Sequence, residues 1–252
     1  TEFNSMVLAA QVNEWGGIAQ RRPIIVDNFE RIVSQIQTAV NESDLVLVNA
    51  GSSAGSEDFT SSAVEKLGKL LVHGVAVRPG HPVIIGFVPK RINGVESKPV
   101  PVIGVPGYPV SAALTNEIFV EPLIHLWLGE PAPDPEKVQA SLTRKINSPA
   151  GDDDYVRVVV GDVGGQMLAA PLSRGAGVTT SLSKADGIVI VPRQTQGFEA
   201  GDKVEVRLYR PERELKQTIF TIGSHDMTLD VLTQALSMRQ RRLVSANAGS
   251  MG

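Results

Sequence analysis

Apolar residues recur along the first half of the chain at two alternating periods. Met6–Trp15 has helical spacing and stops at Gly16-Gly17, and Pro23–Val26 is a short apolar run. Phe29, Ile32, Val33, Ile36 and Val40 share one face of a helix predicted over 29–40, and Asp44–Val48 then reads as a buried strand. Helical spacing returns over Ser61–Leu71, and strand-length apolar runs follow at Val83–Val88 and Val100–Val105. Val110–Leu128, with Pro109 at its start, is long enough for about five helical turns. This alternation predicts an α/β domain with a largely parallel sheet and helices on both faces. The chain opens without a clear first strand, as if inside a domain.

The pattern changes at the proline-rich stretch Gly129–Pro135. Beyond it, short strands are expected at Ala140–Ile146, Tyr155–Val160, Met167–Pro171, Gly187–Pro192 and Lys203–Leu208. Turns bearing Gly and Asp separate them at the spacing of a small β-barrel or sandwich. After Pro211 the pattern changes again, to a strand at Thr218–Ser224, a helix at Thr228–Arg239 and a strand at Arg242–Ala246. So short a β-α-β unit cannot bury a core alone, and it reads as the start of a truncated domain. The expected organisation is an α/β domain over 1–130, a small β-barrel over 136–210 and the truncated unit over 216–252.

Composition narrows the function. The 252 residues are 42% hydrophobic and 20% charged, which is ordinary for a globular chain. The longest apolar run, Val83–Val88, is far short of the roughly 18–20 residues that span a bilayer. Thr1–Ala10 lacks a basic region leading into an apolar core, so a cytoplasmic setting is expected. With no cysteine, disulfides, thiolate metal sites and cysteine nucleophiles are all excluded. A net charge of −3 argues against nucleic-acid or membrane-surface partners, so an anionic ligand must be met by local donors.

Three loops could supply them. Asn49-Ala50-Gly51-Ser52-Ser53-Ala54-Gly55-Ser56-Glu57-Asp58 leaves a predicted strand at its carboxyl end, where open α/β sheets bind ligands. Its small residues and the amides of the next helix suit a phosphate, and Glu57 and Asp58 suit a magnesium ion between carboxylate and phosphate. Simple helix capping by the same acids is the competing explanation. Arg78-Pro79-Gly80-His81-Pro82 presents a cation and an imidazole, or is a plain proline–glycine turn. Pro106-Gly107-Tyr108-Pro109-Val110-Ser111 leads from a strand into a helix, as an anion site or merely a rigid helix start. The three are expected to converge on one edge of one sheet.

Other polar groups read as structure. His73 and His125 lack a second ligand at metal spacing. Asp152-Asp153-Asp154 reads as a solvated turn rather than a calcium site, and Arg239, Arg241 and Arg242 as a solvated face. Ser52, Ser53 and Ser56 lack the His/Asp pattern of a hydrolase triad.

Together the loops resemble the MoeA family of molybdopterin molybdenumtransferases, which includes the gephyrin E-domain. That family carries GGxSxG followed by acids, then PGKP, then LPGNPVS; here they read AGSSAGSEDF, RPGHP and VPGYPVS, in the same order. Glu2-Phe3-Asn4-Ser5 resembles the Asp-Ser-Asn segment that opens the family's first long helix. Arg174–Leu182, Ala185-Asp186-Gly187 and Gly201-Asp202 resemble its small C-terminal β-domain.

The resemblance implies a three-layer α/β molybdopterin-binding domain of the MogA/MoeA type, followed by a β-barrel. It implies a cytoplasmic homodimer that inserts molybdate into adenylylated molybdopterin with magnesium (Mg2+), releasing AMP. Asp58 and Glu2 would be catalytic, and Asp58 and Glu57 would hold the metal. Gly51, Ser53, Gly55, Arg78, His81, Pro106, Tyr108, Pro109 and Ser111 would bind the pterin substrate.

Three positions depart from the pattern: Ala50 replaces a glycine, His81 a lysine and Tyr108 an asparagine. These changes resemble a subgroup fused to a C-terminal periplasmic-binding-protein-like domain. Ile219–Met227 and Leu243–Gly252 look like the opening of such a domain, with Ser224 and Ser245 near strand ends. The family's two N-terminal domains are expected to be missing. A non-catalytic pterin- or oxyanion-binding module is the alternative function.

Overall fold

The computed structural model of the chain describes residues 2–49, 59–131, 134–174, 179–215, 217–223, 226–239 and 241–247. The chain divides into two units, Thr1–Pro133 and Asp134–Gly252.

In the first unit, α1 (Asn4–Glu14) is followed by α2 (Phe29–Glu42), whose N-cap Asn28 accepts from the Arg31 amide at 3.0 Å. Pro23–Val26 has no regular structure. Next come β1 (Val46–Asn49), α3 (Phe59–Leu67), β2 (Lys69–His73), β3 (Val77–Arg78), β4 (Ile84–Ile92) and β5 (Val95–Val105). The helix α4 (Pro109–Thr115), a π-helical turn (Asn116–Val120) and α5 (Glu121–Leu128) run on without a break. The π turn has a local cause. Pro122 brings no N–H and crowds the carbonyl one turn back, and the widened turn lets Glu121 N donate to Asn116 O instead.

The sheet order is β1-β5-β4-β2, and it departs from the expected parallel arrangement: only β1–β5 is parallel. The reason lies at Asn93-Gly94, whose φ of 52° and 78° make the tight turn that folds β4 back on β5 as a hairpin. A second departure is at Gly68, where the helix predicted to run to Leu71 stops. A Cβ there would lie 2.0 Å from Phe87 O, and Lys69 onward pairs with β4 as β2.

Side chains alternate across the sheet and bury two cores. Val46, Val88, Val100 and Val102 face α2 and α3, packing on Val33, Ile36, Val40 and Val64. Ile103, Val105 and Val83 face the opposite helical layer, against Leu8, Ala112, Val120 and Ile124. Each Val, Leu or Ile among them, fully buried, contributes roughly 1.5–3 kcal/mol. Two helical layers around one sheet give the expected three-layer α/β architecture.

The second unit contains β6 (Lys137–Leu142), β7 (Ile146–Asn147), β8 (Asp153–Val163), β9 (Gln166–Pro171), α6 (Thr180–Lys184) and β10 (Gly187–Val191). It continues with β11 (Gly197–Phe198), β12 (Lys203–Leu208), α7 (Glu212–Leu215), β13 (Thr218–Gly223), α8 (Met227–Ser237) and β14 (Arg242–Asn247). Strands β10-β12-β6-β9-β8 form a ring that β10–β8 pairing closes into a small barrel. Alternate residues fill it, Val138, Ala140 and Leu142 from β6 and Val204, Val206 and Leu208 from β12, with Leu215 of α7 packed among them.

Parallel β13 and β14 lie against this barrel. Phe220 packs where Gly161 leaves room, since a Cβ at 161 would come within 2.6 Å of the Phe220 Cβ. Two sequence readings are corrected here. Arg242 is not part of a solvated face: it forms an ion pair with Asp186, which is 0% exposed and also pairs with Arg210 at 3.0 Å. The aspartate run is not a solvated turn either. Asp154 is buried against Ser148 Oγ (2.7 Å) and Arg174, and Asp153 pairs with Arg193 at the start of β8.

Candidate functional site

The parallel pairing of β1 and β5 sets their carboxyl ends side by side, with Asn49 opposite Val105. Strand β4 starts at that same edge, with Ile84 opposite Gly104. All three candidate loops therefore meet the sheet there: one leaves β1, one joins β5 to α4, and one enters β4. The turn at 78–82 is shaped by the His81 carbonyl, which accepts from Val75 N and Val83 N at 2.9 Å each, and Arg78–Pro79 is cis. Gly80 (φ 129°) is buried against α4, where a Cβ would lie 3.5 Å from Thr115 Oγ1 and 3.9 Å from Ser111 O. The second loop thus packs on the helix that the third loop begins.

A chain of hydrogen bonds ties the head of α1 to this edge. Asn4, only 7% exposed, donates from Nδ2 to Asn49 Oδ1 at 3.1 Å and to Gly107 O at 2.8 Å. Asn49 Nδ2 donates to Glu2 Oε1 at 2.9 Å, and the same carboxylate accepts from Ser5 N and Ser5 Oγ. Arg21 Nε donates to Ser5 Oγ at 2.9 Å. Partial burial pushes the Glu2 carboxyl up, but the Ser5 bonds and the Arg21 charge outweigh it, and the net effect holds it below its ordinary value.

Apart from Glu2, whose bonds are given above, the predicted site residues fall into three groups. Gly51, Ser53, Gly55, Glu57 and Asp58 lie outside the described residues. Pro106 and Ser111 are buried and Pro109 half-buried; they set the loop and the first turn of α4, whose first bond runs from Ala112 N to Tyr108 O. Arg78, His81 and Tyr108 are exposed, Tyr108 at 65%. Sequence reasoning did not single out Asn4 or Asn49. Their signal was present: an asparagine closing a buried strand, and another opening a helix, are polar groups in places that bury them.

Among the described residues, no group of three or more His, Cys, Asp or Glu side chains stands together as a metal site. Glu2 is the one predicted carboxylate described, and its oxygens already accept from Ser5 and Asn49.

Comparison with known proteins agrees with this layout. Residues 1–126 match the family described as "Probable molybdopterin binding domain", and residues 139–209 match "MoeA C-terminal region (domain IV)". The chain belongs to the MoeA-type molybdopterin molybdenumtransferase family. A molybdopterin biosynthesis protein of Methanocaldococcus jannaschii is 32% identical over 208 residues, covering 82% of this chain and 47% of that protein. The molybdopterin molybdenumtransferase of Bacillus subtilis is 30% identical over 212 residues, covering 83% and 47%. Among solved structures, a molybdopterin biosynthesis MoeA protein from Pyrococcus horikosii superposes with a TM-score of 0.66 at 33% identity, covering 83% of this chain and 48% of that one. The chain spans about half the length of the curated MoeA relatives it matches. Within the MoeA match, the candidate edge lies wholly in the molybdopterin-binding region, and the barrel accounts for the domain IV match.

Proposed function

We propose that this chain carries the molybdopterin-binding part of a molybdopterin molybdenumtransferase. The reaction takes adenylylated molybdopterin and molybdate and gives molybdenum cofactor and AMP. The observation that supports this reading is the register at the sheet edge, Asn49 opposite Val105 and Ile84 opposite Gly104, which sets the end of β1, the end of β5 and the start of β4, each flanked by a family-like segment, at one edge. In this reading residues 1–130 bind the pterin, 136–210 form the accompanying barrel, and 216–252 belong to a binding-protein-like domain.

The described residues perform the positioning. Pro106 and Pro109 hold the pterin-side turn, Gly80 lets the 78–82 turn close on α4, and Arg78 and His81 present donors from that turn. Gly51, Ser53 and Gly55 cradle phosphate oxygens through backbone amides. Asp58 is the essential acid, with Glu57 beside it. These two carboxylates would hold magnesium, which would supply positive charge to offset that developing on the phosphoanhydride. Tyr108 and Ser111 complete the pterin side.

The test is Asp58→Asn in the intact protein, supplied with adenylylated molybdopterin, molybdate and magnesium. Molybdate-dependent AMP release should vanish while the melting temperature holds. Unchanged turnover in the variant rejects the role. Saturable pterin binding without any product, in wild type, would favour the non-catalytic module. The setting proposed is a cytoplasmic homodimer with small-molecule substrates and no nucleic-acid or membrane partner. Among the described residues no helix is long and apolar enough to cross a membrane.

A further inference from the structure

The hydrogen bonds around Asn4 have a single sense. An ionised Glu2 carboxylate has no proton to give, so Asn49 must present its Nδ2 to Glu2 and is left with Oδ1 facing Asn4. Asn4 must then present its own Nδ2 to that oxygen, and the second Nδ2 hydrogen reaches Gly107 O. Turning Asn49 over would set oxygen against carboxylate and NH2 against NH2, and turning Asn4 over would set its oxygen against Asn49 Oδ1 and Gly107 O. The partners are 47, 45 and 103 residues apart in the chain, so no local turn explains the arrangement.

The end of the chain of bonds has a geometric consequence. The Gly107–Tyr108 peptide is not among the cis bonds, and in a trans peptide the C=O and the following N–H point in opposite directions. With Gly107 O aimed at the buried Asn4, the Tyr108 N–H is aimed away from it, at a position where Gly107 and Tyr108 are both exposed. We propose that Glu2, Asn49 and Asn4 form a positioning relay that locks the Gly107–Tyr108 peptide plane and turns the Tyr108 N–H outward, as a donor to an acceptor atom of the pterin substrate. This rests on the molybdopterin-binding reading of the same edge. It also gives Glu2 a different task from the catalytic one implied by family resemblance: its charge orients two amides and touches no reacting atom.

The experiment measures the dissociation constant of anaerobically prepared molybdopterin for the full chain, with melting temperature as a folding control. Asn4→Ala and Asn49→Ala should each weaken binding about tenfold. The double variant should lose no more than either single one, because each change breaks the same relay. Glu2→Asp should bind like wild type and Glu2→Gln should not, since a neutral amide no longer dictates the sense of Asn49. Wild-type affinity in a folded Asn4→Ala, or a double variant about a hundredfold weaker, overturns the relay. So does a melting-temperature loss without any change in affinity. If Asn4→Ala does not fold, the Glu2→Asp and Glu2→Gln pair decides by the same criterion. Hydrogen exchange at the Tyr108, Val110 and Ser111 amides separates this inference from the functional one. If wild type fails to bind molybdopterin, the functional reading falls. Faster exchange in Asn4→Ala then still supports the relay, and unchanged exchange removes it.

Discussion

Glu2 shows how one side chain couples charge to stability. Its folded-state carboxyl is held below the ordinary value, chiefly because hydrogen bonds from Ser5 and the nearby Arg21 outweigh the burial that would raise it. A group depressed in this way adds stability that is present above its unfolded value and lost as pH falls through the folded one. Glu2→Gln should therefore melt below wild type at neutral pH, with the gap closing in acid below the usual carboxylate range. Paired thermal melts across that range check it, and a gap independent of pH would count against the argument. At this scale the sequence was only partly readable. Arg242 looked like a member of a solvated basic face because its partner Asp186 lies 56 positions earlier, a separation that no local pattern reveals. Asn4 sat inside a quoted segment, yet its bonds to Asn49 and Gly107 exist only once α1, β1 and the loop before α4 have met.

At the scale of elements, periodicity marked α2 and the barrel strands because each buries one face against a continuous core, and a continuous apolar run marked β5 because its second half is buried on both faces. It failed where a single glycine decides. Helical spacing continues past residue 67, but the close approach of Phe87 O to Gly68 ends the helix and starts β2. The antiparallel hairpin was signalled by Asn93-Gly94, a short-range cue overridden by the wider helix–strand alternation. That turn allows a clean measurement, because a Cβ on Gly94 would meet nothing within 4 Å while φ is 78°. Gly94→Ala should cost about 1 kcal/mol from backbone strain alone. Urea denaturation would show it as a lower midpoint with an unchanged slope, and a wild-type midpoint would contradict it.

On the scale of the molecule, the proposed homodimer has a surface to explain. Leu126, Trp127 and Leu128 close α5 with 72%, 48% and 50% of their area exposed, a run of three large apolar side chains. Charged substitution there should be tolerated by the fold and not by association. Trp127→Glu is expected to shift sedimentation from dimer to monomer at micromolar concentration, with the melting temperature little changed. A wild-type monomer, or a variant that stays dimeric, would place the contact elsewhere. Family-like loops made the fold class readable at this scale, while the pairing of β4 with β5 and the docking of β14 on the barrel were not. The docking depends on contacts far apart in sequence, whereas the pairing rests on a local turn that the wider helix–strand alternation masks.

The Asn4–Gly107 bond closes a loop of 103 residues, and β1 meets β5 across 56. The β4–β5 hairpin, by contrast, is local. Loop-closure entropy therefore places this sheet edge late on the folding route and early on the unfolding one. A ligand bridging that edge would hold shut the contacts that open first, and at a hundred times its dissociation constant would add about 2.7 kcal/mol to the folded state.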